Sequence, residues 1–155
     1  DDSSLVARNL GTLKSYLGAS PEFLRRHGTP RKPEDVARFD TLVFGAGTDR
    51  HGYRLTRDGK TVTVRGRARV LVNDFEFLVD GAREGLGIAA IPLFRCIDDL
   101  REKRLKRVLS DWCTREVPLH AVYPSTRHLS PKLKVFLDHL REQMTPPPWE
   151  RGPLP

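Results

Sequence analysis

Proline stands where a helix should begin four times in this chain, at Pro21, Pro33, Pro92 and Pro131, and a short β-rich run lies beside each. Proline suits the first helical position because the N–H it lacks would have no partner inside the helix. Ser20 and Ser130 stand just before two of these prolines and offer a hydroxyl to the first free N–H groups. The stops are equally marked. Gly28 follows residues 21–27, and Gly85 follows the stripe Phe75, Leu78, Val79 and Ala82, which falls on one helix face. Residues 13–19, 41–44, 70–72, 87–91, 106–109 and 119–123 read as strands between the helices. Short strands alternating with helices predict an α/β fold with a mostly parallel sheet.

Asp58-Gly59 is the strongest turn signal and predicts a hairpin between residues 53–56 and 61–64. Asn73 or Asp74 can cap the helix that follows. Gly45, Gly47 and Gly52 suggest a flexible loop around Thr48 and His51, and Pro33 predicts a second short helix over residues 33–38. In the last helix Leu133, Phe136, Leu137, Leu140 and Met144 form an apolar stripe, and Pro146, Pro147 and Pro148 stop it before a loose tail.

The chain has 155 residues, 38% of them hydrophobic and 30% charged, which suits one packed domain rather than a disordered or fibrous chain. No apolar run approaches the roughly 20 residues needed to cross a bilayer as a helix. Cys96 and Cys113 have neither CxxC spacing nor a His at ligand spacing, so a disulfide scaffold and a zinc site are not expected, and a reducing cytoplasm is. The chain opens on Asp1 without an initiator Met or an apolar signal core, which reads as a piece of a longer product.

Gly85-Leu86-Gly87-Ile88-Ala89-Ala90 matches G-x-G-x-x-A, the pattern that lets a dinucleotide pyrophosphate approach a helix start. Here the order is reversed: the motif leaves a helix and enters a strand, so its glycines serve a helix end and a tight turn. No cofactor is expected. His27, His51, His120, His128 and His139 contain no HExxH pair, and no G-x-S-x-G elbow presents a serine, so neither a metal nor a catalytic set assembles from spacing. An enzyme is not expected.

The charge is 27 basic against 20 acidic residues, a net +7, and it is uneven. Arg50, Arg54, Arg57, Lys60, Arg65, Arg67 and Arg69 face one acid, Asp58, across residues 50–70. Such a stretch invites a nucleic-acid reading. It lacks interleaved aromatics, and its alternation suits solvated strand faces better. What remains is binding of a small ligand at strand ends, where an open α/β sheet places one and where helix starts present N–H groups to an anion.

Several segments, in order, resemble the C-terminal effector-binding domain of LysR-type transcriptional regulators. They are Asp2-Ser3-Ser4-Leu5-Val6-Ala7-Arg8, Leu17-Gly18-Ala19-Ser20-Pro21 with Arg26-His27-Gly28-Thr29-Pro30, Val72-Asn73-Asp74, Gly85 through Pro92, and Val122-Tyr123-Pro124 with His128-Leu129-Ser130-Pro131-Lys132. The resemblance runs from Asp1 to about Gln143 and leaves out the Pro-rich tail. It implies a type 2 periplasmic-binding-protein-like α/β fold, two Rossmann-like subdomains joined by two crossover strands, with the first subdomain incomplete in this chain. Residues 1–13 would end the first subdomain's part and enter the first crossover, residues 14–117 would form the second subdomain, residues 118–145 the second crossover and a closing helix, and residues 146–155 a tail.

The same resemblance implies a small-molecule effector, a homo-oligomer, and promoter DNA bound through a winged helix-turn-helix upstream of Asp1. Effector contacts would come from Ser15, Phe44, Gly45, Asn73 and Phe75. Relatives often carry Trp where Tyr53 stands. An acidic aromatic or other carboxylate ligand is favoured if Arg or Lys faces the cleft. A free-standing periplasmic-type binding protein and a basic nucleic-acid-binding module are the alternatives.

Overall fold

The computed structural model describes residues 5–45, 52–114, 116–125 and 130–152. In chain order the elements are β1 (Leu5–Leu13), β2 (Ser15–Ala19), α1 (Pro21–His27), β3 (Asp40–Phe44), β4 (Tyr53–Arg57), β5 (Lys60–Val64), β6 (Arg67–Val72), α2 (Phe75–Arg83), β7 (Ile88–Pro92), α3 (Leu93–Arg101), β8 (Lys106–Arg107), β9 (Cys113–Thr114), β10 (Val117–Pro124) and α4 (Pro131–Gln143). Short 3-10 turns span Pro33–Arg38 and Pro148–Glu150. The chain divides into two compact units, one from Asp1–Leu13 with Val117–Leu154 and the other essentially Lys14–Glu116.

The larger unit is built on a five-stranded sheet ordered β6-β3-β7-β2-β8. β3 runs parallel to β6 and β7, while β2 runs antiparallel to both β7 and β8. That single reversal matters. It brings the start of β2 to the edge where β3, β6 and β7 end, with Ser15 opposite Pro92 and Phe44 opposite Val72. Leu17, Leu42, Ile88 and Ala89 are buried in the sheet, and α2 covers it with Leu78, Val79 and Ala82. Helical spacing placed those three on one face, and burying them supplies most of what holds so short a helix.

A second sheet, β5-β4-β9, is folded onto this unit. Asp58 and Gly59 both take positive φ, 50° and 77°, as the two-residue hairpin turn requires, and the register runs from Tyr53 opposite Val64 to Arg57 opposite Lys60. Tyr53 and Leu55 point into the core. The Tyr53 hydroxyl lies 3.0 Å from Leu42 O and 2.8 Å from Ile88 O, so the phenol ties the hairpin to two strands of the main sheet.

The smaller unit pairs β1 and β10 antiparallel over the register Leu5 opposite Pro124 to Leu13 opposite Val117, with an irregularity between Asn9 and Gly11. Arg8 bonds the Asp138 carboxylate of α4 at 2.6 Å, and Leu137 is the buried residue of that helix.

Three serine and aspartate caps form where the sequence places them. Ser20 Oγ accepts from Phe23 N at 3.2 Å, Asp74 Oδ1 from Glu76 N at 2.6 Å and Phe77 N at 3.2 Å, and Ser130 Oγ from Leu133 N at 3.3 Å. The short helix expected over residues 33–38 forms as a 3-10 helix, in which Asp35 accepts from the Arg31 and Lys32 amides, and the second of these bonds caps the start. Three expectations change. Residues 13–19 are not one strand: the chain breaks at Lys14 because β1 and β2 belong to different sheets. Pro92 closes β7 and stands at the N-cap of α3, which starts one residue later, at Leu93. The chain after Met144 is not loose through residue 152, since Arg151 bonds the Gln143 carbonyl at 2.8 Å and the Pro146 carbonyl at 3.2 Å. The glycine loop with Gly47, Thr48 and His51 lies outside the described residues.

The basic stretch is a decorated strand face. Arg67 and Arg69 both reach Asp40, at 3.1 and 3.4 Å, and the Arg57 guanidinium sits 4.9 Å over the Trp112 ring. No helix of the described residues is long and apolar enough to cross a membrane.

The two thiols differ sharply. Cys96 is buried, and burial, with the Asp99 carboxylate adding to it, pushes its thiol up to about 12. Cys113 is half-buried, with its Sγ 3.5 Å from Thr56 O. Because the thiolate is the reacting form, a disulfide reagent at neutral pH is expected to label Cys113 first and Cys96 only on unfolding. In Cys113→Ser the fast phase should vanish; a fast phase that persists would mean that the thiol of Cys96 is reached without unfolding.

Candidate functional site

At the edge where β3, β6 and β7 end, the Phe44 and Phe75 rings stack with centroids 4.3 Å apart and planes 6° from parallel. The contact follows from the chain path: β3 and β6 pair with Phe44 opposite Val72, and α2 starts three residues after Val72. Gly45 closes this corner. Its N–H bonds Val72 O at 2.6 Å, and a Cβ there would come within 2.7 Å of Leu71 Cγ, so the corner has no room for a larger residue without moving Leu71.

Beside this stack lies a concavity of about 160 Å³. Val43, Phe44 and Ala90 give it an apolar wall, while Tyr53, Arg54 and Thr114 complete it from β4 and β9. Thr114 is fixed in place, because its hydroxyl donates to Ser15 O at 2.9 Å. Small concave sites with an apolar wall and a few polar groups are the usual form of ligand pockets.

The structure therefore draws the five sequence-named residues onto one sheet edge, with different roles. Phe44 lines the concavity, and Phe75 backs it through the stack. Gly45 holds the corner. Ser15 lies outside the lining, and its backbone carbonyl accepts from the hydroxyl of the lining residue Thr114. Asn73 is exposed, outside the lining, and it does not cap α2; Asp74 does. The expectation that this helix start offers N–H groups to an anion also changes, since Asp74 occupies the Glu76 and Phe77 amides and Glu76 adds a second carboxylate, itself paired with Arg95.

Arg54, Ala90 and Thr114 are lining residues that the sequence does not mark, while Tyr53 is the wall position where relatives often carry Trp. Arg54 was visible only as one charge in the basic stretch, and Thr114 belongs to a two-residue strand that leaves no periodic signal. Burial raises the Tyr53 phenol well above the ordinary tyrosine range, so it is a neutral hydrogen-bonding group at physiological pH. Among the described residues no group of three or more His, Cys, Asp or Glu is arranged to hold a metal ion.

The family model for the LysR substrate binding domain matches residues 1–145. An uncharacterized HTH-type transcriptional regulator of Haemophilus influenzae is 30% identical over 133 residues, covering 86% of this chain and 46% of that protein. The full-length structure of the Vibrio cholerae virulence activator AphB is similar with a TM-score of 0.76 at 29% identity, over 92% of this chain and 49% of that one. The regulatory domain of CrgA from Neisseria meningitidis is similar with a TM-score of 0.73 at 30% identity, over 92% of this chain and 71% of that domain. The chain spans about half the length of the curated relatives it matches.

Proposed function

We propose, from the premise that this chain belongs to the LysR substrate-binding domain family, that it senses a small effector for a bacterial transcriptional regulator whose DNA contacts are made by a separate domain. The observation that carries this reading is the Phe44-walled concavity at the ends of parallel strands, where open α/β sheets take their ligands. In this reading residues 14–117 act as the second effector subdomain, residues 1–13 and 118–145 contribute to the first and to the crossovers, and residues 146–155 are a tail. The regulator is a cytoplasmic homo-oligomer without turnover. An effector acts by its differential affinity for two arrangements of the regulator, since a ligand that binds both equally shifts nothing.

Phe44 supplies a flat apolar face, supported from behind by Phe75, which suits an aromatic or branched effector. An acidic effector would have to set its charge at Arg54, because the Asp74 carboxylate already occupies the amides of the α2 start.

Screening small metabolites by thermal shift tests the reading. A ligand present at a hundred times its Kd stabilises the folded chain by about 2.7 kcal/mol. Phe44→Ala, compared with its own unliganded baseline, is expected to weaken such a ligand about tenfold or more. Ligands that stabilise Phe44→Ala as well as the parent would overturn the site, and sequence-specific duplex DNA binding by this chain alone would overturn the function.

A further inference from the structure

Leu137 is the buried residue of α4, with Leu133 and Leu140 half-buried beside it, so the helix rests on its own unit through one face. The other face is open. Val135 is 68% exposed and Phe136 56%, and with Pro131, Lys132 and His139 they line a shallow apolar concavity of about 570 Å³. Apolar side chains gathered on an exposed helix face and rimmed by polar ones mark a contact with another molecule.

The spacing along this face suits a second copy of the same helix. Lys132, Val135, His139 and Glu142 follow one another at intervals of three, four and three residues, which sets them in one stripe along α4, and all four are exposed. The intervals are the same from either end, with their midpoint at the level of residue 137. The charges are not: a lysine opens the stripe and a glutamate closes it. A second α4 laid antiparallel across that midpoint therefore sets Lys132 against Glu142 at both ends and Val135 against His139 twice between them. Parallel pairing would set lysine against lysine and glutamate against glutamate. Both charges are available, since among the described residues Arg8 takes Asp138 whereas neither Lys132 nor Glu142 has an ion-pair partner.

We infer that α4 is a self-association surface: two copies of this chain pair through antiparallel α4 helices, with Val135, Phe136 and His139 at the seam and a Lys132–Glu142 contact at each end. Such a two-fold contact is isologous, so every pair in it occurs twice. Two helices of 13 residues make a small interface, and association in the micromolar range is expected. The pairing supplies a surface for the homo-oligomer proposed above, and it rests on that reading only in taking a second copy as the occupant.

Sedimentation velocity of the 155-residue chain from micromolar to millimolar concentration tests the pairing. The chain is expected to dimerise. Lys132→Glu sets carboxylates opposite one another at both ends and should weaken the dimer about tenfold or more. Adding Glu142→Lys restores opposite charges, so the double variant should return to within about threefold of the parent. Both changes suit the helix dipole, an acid near the α4 start and a base near its end, so melting temperature should hold and a lost dimer cannot be a lost helix. Val135→Asp exchanges residues of similar helix propensity at an exposed position and should also weaken the dimer about tenfold. Three results would overturn the pairing: a chain that stays monomeric at millimolar concentration, a dimer unchanged by Val135→Asp, or a double variant no tighter than Lys132→Glu. A dimer that survives Val135→Asp uses another surface, which removes this pairing and leaves the homo-oligomer standing, while the effector reading is decided separately by thermal shift at Phe44.

Discussion

Alanine in place of Gly87 is expected to destabilise the chain by about 3 kcal/mol, near the upper end for overpacking a core. The glycine sits between the end of α2 and the start of β7, against the first residues of β3. A Cβ there would lie 2.6 Å from Asp40 O and 2.9 Å from Asp40 C, closer than real contacts allow. Those atoms are backbone, so no side chain can swing aside. The only relief is to push β3 from β7, and those strands are joined through Thr41 opposite Ile88 and Leu42 opposite Ala89. Leu42, Ile88 and Ala89 are fully buried, so separation would open the centre of the core. For a chain of this size the loss corresponds to a melting temperature lower by roughly 6–12 °C. Gly59→Ala is the control. Its φ is 77° but nothing lies within 4 Å of its Cβ, so only left-handed strain of about 1 kcal/mol is expected. Equal losses at the two sites would mean that steric closeness at Gly87 is relieved without cost.

That contrast marks how far the sequence reaches. Signals carried by one or two residues are legible: Asp58-Gly59 sets a hairpin because both residues must take positive φ, and Ser20, Asp74 and Ser130 set helix starts because a short side-chain oxygen reaches a free amide. The alternation of strand and helix is legible for the same reason, and it gave the α/β class. Sheet membership is not local. Nothing within residues 13–19 says that β1 pairs with β10 while β2 joins another sheet, so a single strand was the natural expectation. The α4 stripe shows the same limit. Its spacing identifies one face, yet Leu137 is 2% exposed and Phe136 is 56% exposed, because periodicity says which residues share a face and not what covers it. The site divides likewise. Phe44 and Phe75 sit at strand and helix ends that can be read directly, whereas Arg54 and Thr114 arrive through the pairing of β4 with β9, which depends on residues 57 positions apart.

Removing the side chain of Tyr53 should cost about 4 kcal/mol as Tyr53→Ala, in the range for large aromatic truncations. Tyr53→Phe should cost about 1–2 kcal/mol, the share of the hydroxyl alone. The split has structural meaning. The ring fills the space between the β4–β5 hairpin and the main sheet at 6% exposure, while the hydroxyl sits between Leu42 O and Ile88 O on two different strands. Without the hydroxyl those two carbonyls lose a shared donor. Without the ring a cavity opens beside the candidate site, of which Tyr53 forms one wall. Alkaline titration separates the phenol further. Burial raises its folded pKa above the value of about 10 it has when unfolded, so the unfolded chain gives up its proton first. Stability from this group is complete below about pH 10 and falls as pH rises beyond it. The buried thiol of Cys96, pushed up to about 12, has the same sign and begins to act lower, near the ordinary thiol value of about 8.5. Tyr53→Phe leaves the thiol in place, so the difference between parent and variant in urea midpoint should be flat from neutral pH to about 10 and then narrow as the parent loses its phenol contribution. A difference that stays constant through this range would mean that the phenol ionises as easily in the folded chain as in the unfolded one, and that the hydroxyl does not bridge the two strands in solution.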